Sequence, residues 1–180
     1  LNSVDKSATI DYTPSKVTVS KTDGNGDSND NDKNYKDLQN GILTWKISLS
    51  IPEGYTGGEM TVLEKLPEGV ELNSLSLWVN SHSNSADITA DGTHELSYWS
   101  GTKYLVTKST DTAGIKVVIP QNLTFCNGSN GYHNPHILTF EVKAKIKEGF
   151  SDWSETGDVQ IHRFENTVSI KNKSNDLIAE

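Results

Sequence analysis

Two stretches of strict two-residue alternation constrain this chain more than anything else in it. In the first, Leu43, Trp45, Ile47, Leu49 and Ile51 alternate with Thr44, Lys46, Ser48 and Ser50. In the second, Leu138, Phe140, Val142, Ala144 and Ile146 alternate with polar positions that include Glu141, Lys143 and Lys145, and Lys147 follows in the same phase. Successive side chains of an extended chain point to opposite faces, so each stretch specifies a strand with one apolar and one polar face. Shorter runs repeat the pattern. Val17, Val19 and Lys21 share a face, as do Val62, Glu64 and Leu66, then Leu75, Leu77 and Val79, then Ile115, Val117 and Ile119. A last strand carries Phe164, Asn166, Val168 and Ile170. Leu96 and Tyr98, and the run Tyr104 to Val106, read as less regular hairpins. Pro52-Glu53-Gly54, Pro67-Glu68-Gly69 and Pro120 end strands, because proline cannot donate to a ladder.

Seven or more strands with turns every ten or so residues imply an all-β chain, an immunoglobulin-like β-sandwich with long loop insertions. No internal repeat is visible in the 180 residues. One sandwich domain is therefore expected over 13–170, with 1–12 an N-terminal connector and 171–180 a C-terminal connector to a following domain. The opening at Leu1 reads as the start of an excised domain, and no signal peptide is recognisable.

Composition removes several classes of function. Cys126 has no cysteine partner within the chain, which excludes an internal disulfide framework and a cysteine-built zinc site. There is no run of eighteen apolar residues, so no membrane insertion is expected. A formal charge of −8 argues against nucleic acid and against an anionic membrane surface. Abundant Ser, Thr and Asn with almost no Cys suits a secreted bacterial surface protein.

Three polar residues break the alternation at inward positions. Lys21 continues the face of Val17 and Val19, Glu64 lies between Val62 and Leu66, and Asn166 lies between Phe164 and Val168. Burying an ammonium, a carboxyl and an amide separately is costly, so all three should be partners if all three are inside. Desolvation favours the neutral amine and the neutral acid. A neutral lysine amine can attack the asparagine side-chain carbonyl while the acid shuttles protons, and the product is a Lys–Asn isopeptide bond. The alternative is a set of ordinary contacts: Lys21 reaching toward water at a strand end, Glu64 paired with it or with Lys65, and Asn166 bonded to backbone. Lys16 and Lys36 are further amines and Asp23 and Glu165 further acids, though Lys16 has the wrong parity.

The ordered segments Lys21-Thr22, Leu43-Thr44-Trp45-Lys46-Ile47, Glu64-Lys65-Leu66-Pro67-Glu68-Gly69-Val70 and Phe164-Glu165-Asn166-Thr167-Val168 resemble isopeptide-forming domains of Gram-positive pilins and collagen-adhesin-type surface proteins. The resemblance implies a strand ending in acid-x-Leu-Pro that supplies a catalytic acid, here Glu64, and a late strand that supplies the asparagine, here Asn166. Glu64 stands where that family usually has Asp, and a long polar insertion follows the lysine strand. The resemblance also implies a structural or adhesive role in an extracellular, cell-wall-anchored surface protein. Its partners would be neighbouring domains, pilus subunits, or a host matrix protein or glycan. The self-processing chemistry turns over once, so the protein is not expected to be an enzyme.

Other features offer a rival reading. Asp23, Asn25, Asp27 and Asp30 place oxygen ligands at intervals along the insertion, as calcium loops do, with Ca2+ the one cofactor suggested. The twelfth position of such a loop would be Asn34, which lacks the bidentate carboxylate, so a solvated insertion is the alternative. Trp78, Trp99 and Trp153 fall outside the inward pattern and would serve a carbohydrate- or host-protein-binding module if exposed. His133 and His136 lie in a Gly/Asn-rich loop beyond Cys126, where surface residues are the alternative to metal ligands.

Overall fold

The computed structural model describes residues 16–24, 40–52, 55, 57–79, 85–97, 103–124, 136–152, 154–156, 159–161 and 164–180. In chain order its strands are β1 (Thr18–Asp23), β2 (Ile42–Ile51), β3 (Met60–Lys65), β4 (Val70–Val79), β5 (Ala86–Asp87), β6 (Gly92–Ser97) and β7 (Lys103–Asp111). They continue as β8 (Gly114–Ile119), β9 (His136–Ile146), β10 (Ser154–Thr156), β11 (Val159–Ile161), β12 (Thr167–Asn172) and β13 (Leu177–Ala179). One helical turn, α1 (Gln121–Thr124), follows Pro120.

The two strongly alternating stretches, β2 and β9, pair antiparallel along their whole length, with Ile47 opposite Phe140 and Leu49 opposite Leu138. They form the middle of a five-stranded sheet in the order β1-β2-β9-β4-β5. A six-stranded sheet, β13-β12-β3-β8-β7-β6, faces it, and β10-β11 is a separate two-stranded ribbon. All described pairings are antiparallel. One buried cluster holds the two sheets together. Ile47, Leu49, Leu77, Leu138 and Phe140 come from the first sheet, and Met60, Val62, Val106, Val117 and Ile170 from the second. This is the expected immunoglobulin-like sandwich, with period-two burial along β9 and in the later halves of β2 and β4.

Four local findings differ from the sequence expectations. Thr44 has outward parity yet is buried, because the end of β1 packs against it: Gly24 N donates to Thr44 O at 2.9 Å, and a Cβ on Gly24 would lie 2.8 Å from Thr44 Cγ2. Tyr104 to Val106, expected in a less regular hairpin, do lie in a hairpin, formed by β6 and the nine-residue β7, but with a regular register to both β6 and β8. Residues 171–180, expected as a connector, contain β13, which pairs with β12 across a bulge. The strand that follows Asn166 is therefore not the last described strand.

Pro67-Glu68-Gly69 makes the turn from β3 to β4. Gly69 sits at φ +83°, a conformation open to glycine. A Cβ there would meet the Phe150 ring at 2.3 Å, so glycine is required on both counts. Phe150 in turn contacts Phe164, with ring centroids 5.3 Å apart, and this aromatic pair stands at the end of the sandwich where Asn166 enters β12.

Candidate functional site

Lys21 lies on β1, at the edge of the five-stranded sheet, opposite Ile47 of β2. Glu64 lies on β3 in the other sheet, with Val168 of β12 opposite it. The same inward parity that places these residues beside Val19 and Val62 turns them toward each other across the sandwich. Lys21 Nζ donates to both carboxylate oxygens of Glu64, each at 3.1 Å. The Glu64 side chain is 4% exposed and that of Lys21 16%. The sequence pattern marks both residues, and the fold unites them.

Asn166 immediately precedes β12, beside the Glu64 end of the β3–β12 ladder. Its Nδ2 and Oδ1 are both buried and neither forms a hydrogen bond. Such an amide is costly to leave unsatisfied, on the order of 1–3 kcal/mol for a buried donor or acceptor. It is near enough to Glu64 to exert a small downward influence on the carboxyl pKa, while falling short of hydrogen-bond geometry.

The electrostatics of the pair run against ordinary ionisation. Burial pushes the Glu64 carboxyl above the usual carboxylate range, with Lys21 and then Asn166 opposing the rise. Burial also pushes the Lys21 ammonium below the usual lysine range, with Glu64 opposing the fall. Desolvation is the larger cause for both, so each group is shifted toward its neutral form relative to the same group in water. An amine with a free lone pair, a proton donor and an unpartnered amide are the ingredients of acyl transfer to nitrogen.

The remaining candidates fall differently. Asp23 ends β1, exposed and opposite Trp45, while Asn25, Asp27 and Asp30 lie outside the described residues. Among the described residues no three His, Cys, Asp or Glu side chains come together as a metal site. Trp78 is half-buried on the outer face of β4, opposite Thr139; Trp99 and Trp153 lie outside the described residues. Lys36, Cys126, His133 and the 1–12 segment also lie outside them, and the side chain of His136 is not described. Lys16 and Glu165, the reserve amine and acid, are exposed.

The structure adds one buried cation that the sequence pattern did not mark. Lys108 shares the inward face of Val106 on β7, with its side chain 4% exposed. Its Nζ donates to Asp91 Oδ1 at 2.7 Å and to Thr89 O at 2.8 Å. Extending the Tyr104–Val106 alternation by one step reaches it.

No family model matches the chain, and no curated protein does. Among solved structures it is similar to the collagen-binding domain of the Erysipelothrix rhusiopathiae surface protein RspB, with 14% identity and a TM-score of 0.49, covering 93% of this chain and 43% of that one. It is similar to the pilus backbone protein RrgB of Streptococcus pneumoniae, with 11% identity and a TM-score of 0.48, covering 88% of this chain and 52% of that one. It is also similar to the collagen-binding domain of a Staphylococcus aureus adhesin, with 13% identity and a TM-score of 0.43, covering 93% of each chain. The chain spans about half or less of the first two structures. At these identities the likeness concerns the fold alone.

Proposed function

We propose that this chain is a structural or adhesive domain of a Gram-positive surface protein, stapled by an autocatalytic isopeptide bond between Lys21 and Asn166 with Glu64 as the catalytic acid. The observation that carries the reading is the buried Lys21–Glu64 pair beside an amide with no hydrogen-bond partner. The sequence resemblance supplies the surface setting. Its natural partners are neighbouring domains or pilus subunits, and a host matrix protein or glycan.

Each bond change can be followed. Neutral Lys21 Nζ attacks Asn166 Cγ, the new C–N bond forms, and Oδ1 takes the proton of Glu64. The Glu64 carboxylate then removes a proton from the attacking nitrogen and passes it to Nδ2. Collapse of the adduct breaks Cγ–Nδ2, releases ammonia and returns the Oδ1 proton to Glu64. The net change is one amide formed and one ammonia lost, with no oxidant required. Because Lys21 and Asn166 belong to opposite sheets, the bond would tie the sandwich across its core, where a tensile load would otherwise part the sheets.

Intact mass under denaturing conditions tests the proposal. A deficit of one ammonia is expected, together with a branched Lys21–Asn166 fragment after proteolysis. An unmodified mass removes the cross-link and leaves the fold untouched.

A further inference from the structure

We infer that Gly114 is a positioning residue for Glu64, acting through the backbone of β3. The inference rests on the cross-link reading above. Gly114 opens β8 at φ +131°, and a Cβ built on it would stand 2.5 Å from Glu64 O and 3.3 Å from Glu64 C. Those atoms are backbone, so no rotamer change can relieve the contact. Only a residue without a side chain lets β8 approach the Glu64 peptide this closely.

The turn before Gly114 is braced. Asp111 Oδ1 accepts from Ala113 N at 2.8 Å, and Asp111 Oδ2 accepts from Lys116 Nζ. With the hairpin held, a side chain at position 114 would press on β3. Glu64 would move with β3, and so would β12, whose Val168 is opposite Glu64. Lys21 belongs to β1 of the other sheet and would not follow. The displacement would therefore fall on the amine-to-acid separation, the distance that proton transfer depends on most.

Gly92 provides a matched control. It lies in the same sheet at φ +135°, yet a Cβ there meets nothing within 4 Å. Gly92→Ala thus imposes the same backbone strain without the contact. Wild-type chain, Gly114→Ala and Gly92→Ala are purified, their ammonia loss is followed by intact mass, and their thermal midpoints are measured. Both variants are expected to lose thermal stability from the strained φ, Gly114→Ala the more because of its added contact. Gly92→Ala should cross-link like wild type, whereas Gly114→Ala should lag by roughly 10- to 100-fold, the scale of an ångström misplacement. A wild-type rate in Gly114→Ala overturns the inference. Adding Asp111→Ala frees the turn, so the double variant should fold and recover part of the rate; no recovery also overturns it. Should wild type itself retain its ammonia, the cross-link reading fails separately. Positioning is then read from the NMR titration of the Glu64 carboxyl carbon, which must shift in Gly114→Ala and not in Gly92→Ala.

Discussion

Lys21 Nζ sits 3.1 Å from each carboxylate oxygen of Glu64, and the two residues belong to different sheets. Neither strand pairs with the other, so the contact is made wholly by side chains reaching across the core. Glu64→Ala removes the proton donor and leaves a mostly buried ammonium without its partner. The expected result is the full, unreacted mass and a loss of about 3 kcal/mol from the broken pair alone, at the low end of the buried range because Lys21 keeps some contact with water. Chemical denaturation of Asn166→Ala against Asn166→Ala/Glu64→Ala, neither of which can cross-link, isolates that loss. A retained ammonia deficit in Glu64→Ala would clear Glu64 of its role.

The cross-link should act on the unfolded chain. A bond from Lys21 to Asn166 closes a loop containing most of the sequence, and loop closure of that length is worth about 5 kcal/mol in the chain-entropy account. Asn166→Ala removes the electrophilic carbon and should lower stability by an amount of that order. Comparing denaturant midpoints and slopes of wild type and Asn166→Ala measures it. Equal midpoints would mean that the bond is absent or that it strains the native state as much as it restrains the unfolded one.

The uncross-linked pair should also carry an unusual pH signature. In Asn166→Ala, Glu64 still titrates with a raised folded-state pKa, its cause being burial. The folded chain then holds the proton more tightly than the unfolded chain. This contribution is fully present below the ordinary glutamate value of 4.5 and is lost as pH rises through the raised value. Lys21, lowered by burial, runs the other way: its contribution is present above the ordinary lysine value and is lost as pH falls through the lowered one. Asp87, Asp91 and Asp111 have lowered values and destabilise on acidification, but they cancel when Asn166→Ala is compared with Asn166→Ala/Glu64→Gln. The thermal midpoint of Asn166→Ala should gain on the double variant between neutral pH and 4.5. A gain on the double variant as pH rises would mean that the ion pair dominates the site.

Strand parity alone makes the site legible in the sequence. Lys21, Glu64 and Asn166 stand out because each occupies a position where its strand needs an apolar residue, and burial follows from the same alternation that buries Ile47 and Phe140. Alternation assigns a face but not a sheet, so the crossing from β1 to β3 is beyond its reach. Elements as short as β5, β10, β11 and β13 carry too few residues to show a period. Thr44 escapes for another reason: its parity is outward, and its burial comes from Gly24, which continues the β1 edge past Asp23 and lies against it. Lys108 escapes because the alternation around it is short, and a charged residue stands out only where the apolar pattern on both sides is strong.

That lysine closes the edge of the sandwich opposite Lys21. Thr89, between β5 and β6, touches both sheets. Its Oγ1 accepts from Leu75 N on β4 at 2.9 Å, and its carbonyl accepts from Lys108 Nζ on β7. Asp91 joins Lys108 to Thr110, accepting from Thr110 Oγ1 at 3.0 Å and from Thr110 N at 3.2 Å. Lys108→Met keeps the length and apolar stem of the side chain but removes both donors. The Thr89 carbonyl then loses its partner, a cost of about 1–3 kcal/mol where the group stays desolvated. The loss should be local. Amides of Leu75 and of Ile88, which donates to Leu75 O, should exchange faster with solvent, while those of β2 and β9 keep their protection. The ammonia deficit should not change, since Lys108 on β7 is separated from Glu64 on β3 by β8 and Lys21 lies in the other sheet. Uniformly faster exchange would show that the edge does not open by itself and that Lys108 contributes only to global stability.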